Sequence, residues 1–246
     1  MEFIQNQQFV RRLSAVLLRT DWTVCRKCDI IELVKTNLER SIVHVFFQNT
    51  CKPEGIGGKI MVNMMNAGHS SMAEWGFTHI EIRNDYRCLD IGCGGGANVK
   101  KLLVKTPYGK VIGIDYSEVS VIKSSKINKA EIENKHCEIL QGNVMKLPFR
   151  KETFDIITAF ETIYFWPDIN EAFKQVYRVL KVSGTFMICN ESNGENSKEE
   201  KWTKIIQGMK IYNAEQIKKS LEDAGFTDIK IHKNKKGWLC VVCKKG

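Results

Sequence analysis

Residues 88–96 read CLDIGCGGG. A short apolar strand reaches an acidic residue, Asp90, and a glycine-rich turn follows before a helix-like segment over residues 97–105. Glycines allow backbone N–H groups to approach a ligand closely, because no Cβ stands in the way. The turn also opens a helix, whose N-terminus carries partial positive charge. This strand–turn–helix unit therefore predicts a nucleotide-like ligand at the carboxyl end of a parallel sheet.

Strand-like and helix-like segments alternate from Arg87 onward, which predicts a doubly wound α/β sheet. The last two strands follow one another without a crossover helix, so an antiparallel pair should close one edge of the sheet. Two helix starts are marked by capping-type residues at Asp168 and Asn213. The predicted strands are Arg87–Ile91, Lys110–Asp115, Cys137–Gln141, Phe154–Phe160, Thr185–Asn190, Asp228–His232 and Trp238–Val242.

The identity of the ligand depends on residues around the glycines. Gly92 and Gly94 also fit the dinucleotide pattern G-x-G-x-x-G/A, but that pattern alone is weak. Asp90 stands where a dinucleotide fold usually keeps an apolar strand residue. The second strand ends in Asp115 and the third is followed by Asn143. Together these features favour a ligand other than a nicotinamide dinucleotide.

With these motifs in this order, residues 53–246 resemble the class I S-adenosylmethionine-dependent methyltransferases, in particular the small-molecule group with a type 11-like domain and an LDIGCGxG first motif. The resemblance implies a Rossmann-like, doubly wound seven-stranded sheet with an antiparallel terminal strand pair. It also implies S-adenosylmethionine as the cofactor. The residues expected to bind it are Asp90, Gly92, Gly94, Gly96, Asp115, Tyr116, Asn143, Val144 and Phe160.

The resemblance also assigns roles within this set. The glycines bring the backbone to the amino-acid part of the cofactor, and Asp90 meets its ammonium group directly or through water. Asp115 accepts hydrogen bonds from the ribose hydroxyls, and Tyr116 packs on the adenine. Asn143 stands where many relatives have aspartate, and its amide oxygen can still accept a hydrogen bond from the adenine amino group.

The acceptor side is expected in residues 159–168, AFETIYFWPD, which leave the fourth strand at the ligand edge. Glu161 is the first candidate for a catalytic residue, either orienting the acceptor or accepting its proton. His69 is the other candidate base. Tyr164 and Trp166 are expected to line the substrate pocket, although aromatic residues here are as often part of the core.

The chain divides into three predicted parts. Residues 1–52 form an extension without a clear pattern or family resemblance, residues 53–86 form a helical lid with methionines on its apolar face, and residues 87–246 form the methyltransferase domain. In the extension, Cys25 and Cys28 could begin a zinc site that His44 and Cys51 would complete. Their spacing matches no common pattern, so we predict no metal.

Composition narrows the remaining choices. The formal net charge is +9, but the lysines are dispersed and glutamates are interleaved with them, which indicates a solvated surface rather than a specific nucleic-acid site. No apolar run reaches the roughly 18 residues that a membrane span needs. The nine cysteines lie largely on predicted core strands, so reduced thiols and a cytoplasmic location are expected.

The sequence thus predicts methyl transfer from S-adenosylmethionine to a small-molecule acceptor. The alternatives are an RNA or protein methyltransferase, an NAD-dependent dehydrogenase and a non-catalytic module that binds the cofactor. The acceptor and the oligomeric state are not specified by these patterns.

Overall fold

The computed structural model describes residues 69–196 and 199–246. The helices of these residues are α1 (Ser70–Phe77), α2 (Ala97–Lys105), α3 (Glu118–Ile127), α4 (Lys129–Glu133), α5 (Ile169–Val179), α6 (Glu200–Ile205) and α7 (Ala214–Asp223). The strands are β1 (Arg87–Ile91), β2 (Lys110–Asp115), β3 (Cys137–Gln141), β4 (Phe154–Phe160), β5 (Leu180–Asn190), β6 (Phe226–Lys233) and β7 (Leu239–Lys245). Short 3₁₀ turns follow β3 at Val144–Lys146 and β4 at Ile163–Phe165.

The strands form one sheet in the order β3-β2-β1-β4-β5-β7-β6. Leu89 of β1 aligns in parallel with Ile112 of β2 on one side and with Ile157 of β4 on the other. β7 runs antiparallel to both β5 and β6. The predicted doubly wound sheet with an antiparallel terminal pair is therefore confirmed. Because the chain builds outward from β1 to β3 and then returns to β4, the crevice for a ligand opens at the carboxyl ends of β1 and β4.

The core lies on both faces of the sheet. Successive residues of a strand point to opposite faces, so Cys88 and Leu89 of β1 belong to different clusters of buried side chains. The Leu89 face is covered by α5 and α7, with Phe173 completely buried. The Cys88 face is covered by α1 and α2, with Met72 and Leu102 completely buried. Each such side chain contributes about 1.5–3 kcal/mol through burial.

Two helices begin where the sequence placed them. The Asp168 carboxylate accepts hydrogen bonds from the backbone N–H groups of Asn170 and Glu171, at 2.9 and 3.1 Å. At α7, Asn213 and Gln216 bond each other's backbone N–H reciprocally, both at 2.9 Å. Each cap stabilises its helix by about 1 kcal/mol.

The last three strands, β5, β6 and β7, differ in length from the prediction. β5 begins at Leu180 rather than at Thr185, because Leu180 pairs with Phe154 before the register shifts and Thr185 pairs with Ile156. The residues between form a bulge in which Ser183 has a φ of +60°. β6 and β7 are also longer than expected, since their hairpin pairing extends to Phe226.

The segment predicted as a lid is described from residue 69 onward. Its helix α1 packs into the core, with Met72 and Ala73 fully buried and the Phe77 ring 5.1 Å from that of Phe160. A Cβ on Gly76 would lie 2.8 Å from Cys189 Sγ, so α1 approaches β5 closely. Opening and closing of this segment stays a prediction.

Residues 1–52, with the cysteines and histidine considered there as metal ligands, lie outside the described residues. In the described ranges, no helix combines the length and hydropathy that crossing a bilayer requires. Six cysteines of these ranges are free and buried: Cys88, Cys93, Cys137, Cys189, Cys240 and Cys243.

Candidate functional site

A cavity of about 210 Å³ opens at the carboxyl edge of the sheet, at the crevice that the topology predicts. Its walls come from the turns that follow β1, β2, β3 and β4, closed on one side by His69 at the start of α1. Residues that are far apart in sequence meet here because the carboxyl ends of parallel strands share one edge. The cavity is therefore the candidate site.

The glycine-rich turn after β1 forms one wall. The N–H groups of Gly92 and Cys93 donate to the carbonyl of Ile114, at 2.8 and 3.1 Å, which ties the turn to β2. Gly92 has a φ of +71°, and a Cβ there would lie only 2.1 Å from Thr162 Oγ1. Gly94 has a φ of +51°, and a Cβ there would meet no atom within 4 Å. Gly92 is thus required by packing, while Gly94 borders open space that a ligand can fill.

Gly96 lies behind this wall. Its Cβ would meet Ser124 Oγ at 2.4 Å and Asn128 Nδ2 at 2.6 Å, so it allows α2 to start against α3. It is not among the residues that line the cavity. The structure therefore gives Gly96 a packing role, whereas the sequence analysis expected contact with the cofactor.

Asp115, at the end of β2, lines the cavity from a buried position. Its carboxylate accepts the backbone N–H of Gly94 at 2.8 Å and that of Ser117 at 2.9 Å. Burial raises the pKa of this carboxyl, and the backbone hydrogen bonds oppose that rise. The same carboxylate therefore fixes the glycine turn and faces the cavity, where hydroxyl groups of a ligand can donate to it.

Asp90 lies beneath the glycine turn and is almost completely buried. Its Oδ1 accepts a hydrogen bond from the Thr158 hydroxyl at 2.7 Å. Burial raises the pKa of Asp90 to about 7. Asp90 is not among the residues that line the cavity. Its contact with an ammonium group, directly or through water, stays a prediction.

Four further residues expected at the cofactor line the cavity: Tyr116, Asn143, Val144 and Phe160. Tyr116 is exposed, and Phe160 is buried between the cavity and Phe77. The side-chain oxygen of Asn143 accepts the backbone N–H of Met145 at 2.9 Å, which caps the 3₁₀ turn after β3. The oxygen expected to meet an adenine amino group is thus already an acceptor within the chain.

Glu161, directly after β4, lines the opposite wall together with His69. The residue has a φ of +56°, a conformation that costs a non-glycine residue about 1 kcal/mol or more. One carboxylate oxygen, Oε1, accepts the Tyr164 hydroxyl at 3.2 Å and also the backbone N–H of Glu191. The other, Oε2, lies 3.9 Å from His69 Nε2. The two predicted catalytic residues are therefore brought together at one end of the cavity.

Of the two aromatic residues expected in the substrate pocket, Trp166 lines the cavity and Tyr164 does not. Tyr164 is buried, does not line the cavity, and has its hydroxyl between Glu161 and the backbone of Ser192, whose N–H donates to it at 3.0 Å. Burial, followed by the nearby Glu161 charge, raises the pKa of Tyr164 well above its ordinary value, so the phenol stays protonated. Trp166 does line the cavity, and its Nε1–H donates to Thr162 Oγ1 at 3.3 Å.

Glu191 is a residue that sequence reasoning missed. Its Oε2 lies 3.8 Å from His69 Nε2, and its side chain is only 6% exposed. No motif marks this position. The available signal is its place directly after β5, where a charged side chain falls at the same edge of the sheet as Glu161. Thr162, Phe165 and Pro167 also line the cavity without having been singled out.

Cys93 lies in the glycine turn and lines the cavity, but only 6% of it is exposed. Burial, followed by the charges of Asp115 and Asp90, raises the pKa of its thiol well above the ordinary value. The thiol therefore stays protonated, which does not suit a nucleophile.

Comparison with known proteins identifies the domain around this cavity. Residues 89–188 match the family model described as a methyltransferase domain. A demethylmenaquinone methyltransferase of Lactococcus lactis is 39% identical over 106 residues, which are 43% of this chain and 41% of that protein. A cycloartenol-C-24-methyltransferase 1 of Oryza sativa is 26% identical over 156 residues, which are 59% of this chain and 44% of that protein. The chain thus spans less than half the length of these two relatives.

The fold agrees with these matches. The crystal structure of a SAM dependent methyltransferase from Aquifex aeolicus superimposes with a TM-score of 0.64 at 20% identity, over 75% of this chain and 97% of that one. The matched residues run from β1 to β5 and include the glycine turn, Asp115 and Glu161. Residues 89–188 of this chain therefore match a methyltransferase domain, and the sheet that contains them has the fold of a SAM dependent methyltransferase.

Proposed function

We propose that this chain transfers a methyl group from S-adenosylmethionine to a small-molecule acceptor that binds beside Glu161 and His69. The observation that carries the proposal is the division of one cavity into two chemically different ends. One end offers the Gly94 backbone and the Asp115 carboxylate, and the other offers a carboxylate–imidazole cluster.

The end of the cavity with Gly94 and Asp115, which we call the cofactor end, suits S-adenosylmethionine. The space in front of Gly94 accommodates a group at the N-terminus of α2, where backbone N–H groups favour a carboxylate. The Asp115 carboxylate accepts hydrogen bonds from vicinal ribose hydroxyls. Tyr116, Val144 and Asn143 surround the place left for an adenine ring. S-adenosylmethionine, when bound, supplies a methyl group on a positively charged sulfur.

The acceptor end has to align the acceptor and exclude water, since methyl transfer depends mainly on orientation. Phe160, Phe165 and Trp166 provide apolar walls for this purpose. Glu161 and His69 lie where they can orient the acceptor or take up its proton. The names of the matched relatives denote methylation of a quinone precursor and of a sterol, which supports a small-molecule acceptor.

The proposal is tested by incubating the full chain with S-adenosylmethionine that carries a deuterated methyl group and with fractionated metabolite extracts. Mass spectrometry should detect a product heavier than its precursor by one labelled methyl group, and calorimetry should show that S-adenosylhomocysteine binds. Binding without any labelled product in the extracts favours the non-catalytic module. Preference for NAD over S-adenosylhomocysteine would favour a dehydrogenase and reject the proposal.

A macromolecular acceptor is tested separately, because the net charge of +9 also permits one. If the charge is only a solvated surface, RNA should bind weakly, without sequence preference, and with a steep dependence on salt. A specific RNA complex at physiological salt, or transfer of the labelled methyl group to protein or RNA, would show that the acceptor is a macromolecule rather than a small molecule. A cytoplasmic location remains a prediction, supported by the six free thiols of the described ranges.

A further inference from the structure

Three side chains from separate parts of the chain converge at the acceptor end of the cavity. His69 precedes α1, Glu161 follows β4 and Glu191 follows β5. His69 Nε2 lies 3.9 Å from Glu161 Oε2 and 3.8 Å from Glu191 Oε2, and all three atoms lie within 4.8 Å of one another. We call these three residues the His–Glu–Glu cluster.

The charge of the cluster favours a cation. The side chains of Glu161 and Glu191 are 11% and 6% exposed, so little water screens the repulsion between the two carboxylates. Buried charges are stable when they are paired or bind a metal ion. A divalent cation at the centre of the cluster is attracted by both carboxylates.

The geometry of the cluster also suits a metal ion. Ligand atoms about 2.1 Å from a metal and at tetrahedral angles lie about 3.4 Å apart. The two separations from His69 Nε2 must therefore close by about 0.4–0.5 Å, and the separation between the two glutamate oxygens by up to about 1.4 Å. The carboxylate of Glu161 is already oriented, since its Oε1 accepts the Tyr164 hydroxyl and the Glu191 N–H. Such hydrogen bonds to the outer atom of a ligand are typical of metal sites. They leave Oε2 directed at His69.

We propose that the His–Glu–Glu cluster binds a divalent transition-metal ion of the Mn²⁺, Fe²⁺ and Zn²⁺ type. One imidazole nitrogen and two carboxylate oxygens form the mixed ligand set that such ions accept. Three protein ligands leave further coordination positions open, as in catalytic sites. No metal was predicted from the sequence, since the candidate ligands there were three cysteines and His44 of the extension, and Glu191 was not singled out.

The open positions face the cavity that His69 and Glu161 line. The acceptor they would hold carries an oxygen donor such as a hydroxyl or a carboxylate. A metal-bound hydroxyl is also more acidic, which removes the need for His69 to act as a base. This part of the inference rests on the proposed function, whereas binding of the ion itself does not.

The test is a titration of the chelator-treated full chain with Mn²⁺, followed by calorimetry and by electron paramagnetic resonance. Mn²⁺ is the main probe because cysteine thiolates compete for Zn²⁺. One ion should bind per chain with a dissociation constant in the micromolar range or below. Glu191→Gln and His69→Gln should each weaken binding at least tenfold. Glu195→Gln, which alters an exposed carboxylate near the end of β5, should leave it unchanged.

The folding of each variant is checked by thermal unfolding. Glu191→Gln is expected to fold because glutamine has nearly the same side-chain shape as glutamate. Absence of Mn²⁺ and Zn²⁺ binding tighter than millimolar, or equal binding by the two cluster variants and the parent, would overturn the proposal and favour an acceptor with its own ammonium group. S-adenosylhomocysteine is titrated in parallel. Metal binding without cofactor binding would reject the proposed function but keep the metal site. Cofactor binding without metal binding would reject the metal site but keep the proposed function.

Discussion

Replacement of Asp115 offers the most direct test of the cofactor end. The carboxylate is buried at the end of β2, faces the cavity, and is expected to accept hydrogen bonds from two ribose hydroxyls. Hydrogen bonds to a charged group contribute about 1.5–3 kcal/mol each. Because this carboxylate also accepts the N–H groups of Gly94 and Ser117, we take the lower part of the range. Asp115→Ala should therefore lose about 3–4 kcal/mol of binding free energy for S-adenosylhomocysteine, or roughly 100- to 1,000-fold in Kd.

The assay is calorimetric titration of S-adenosylhomocysteine into the parent and the variants, with thermal unfolding measured on the same samples. Asp115→Asn keeps one acceptor oxygen and should have intermediate affinity. Asp155→Asn is the matched control, since Asp155 also accepts a backbone N–H, that of Arg87 at 2.9 Å, but lies away from the cavity. It should lose stability and keep its affinity.

Two results would refute this reasoning. A folded Asp115→Ala variant that binds as tightly as the parent would show that the ribose is not held here. An equal loss of affinity in Asp155→Asn would show that the effect of Asp115 is general destabilisation of the sheet edge rather than contact with the cofactor.

Three further predictions concern glycines and buried titratable groups. Gly92→Ala should prevent stable folding, because its Cβ would lie 2.1 Å from Thr162 Oγ1, whereas Gly94→Ala should fold and bind S-adenosylhomocysteine more weakly; equal thermal unfolding of the two would contradict this. Asp90, with a pKa raised from 3.8 to about 7, contributes stability that is complete below about pH 4 and lost as the pH rises through 7. Urea unfolding should therefore show the parent losing stability relative to Asp90→Asn between pH 4 and pH 8, and parallel profiles would exclude the burial effect. Burial, followed by the charge of a neighbouring histidine, lowers the pKa of His79, so its contribution is present above its ordinary value of 6.5 and lost as the pH falls below it; His79→Gln should reduce this loss at acidic pH, and an unchanged profile would argue against it.

The central part of the fold was predictable because its signals are local. β1, α2 and β2 have the bounds that the sequence predicted, since an apolar strand, a glycine turn and a helix follow one another within residues 87–115. β5 was placed five residues too short because its start depends on pairing with Phe154 across a bulge. Such pairing joins residues that are distant in sequence, so a local sequence pattern does not predict it.

The site divides in a similar way. Asp115 and Gly94 lie at the cavity as expected, because their positions follow from the turns at the ends of β1 and β2. Gly96 and Asp90 belong to the same motif but lie behind the cavity wall, since the motif encodes both the packing of the turn and its contact surface. Tyr164 was expected in the pocket, whereas its hydroxyl holds Glu161 from behind. Sequence position alone does not distinguish a residue that lines the cavity from one that holds a lining residue in place.

The two ends of the cavity also differ in what comparison with other proteins can reveal. The residues of the cofactor end lie within the matched range 89–188, and much of their contact with a ligand comes from the backbone. Two of the three side chains in the His–Glu–Glu cluster, His69 and Glu191, lie outside that range, one before it and one just after it. In the proposed function, the residues that hold the methyl donor therefore lie within the matched range, while two of the three cluster side chains that face the acceptor lie outside it. For this reason we expect tests of metal binding by the His–Glu–Glu cluster to say more about the acceptor than the names of the matched relatives do.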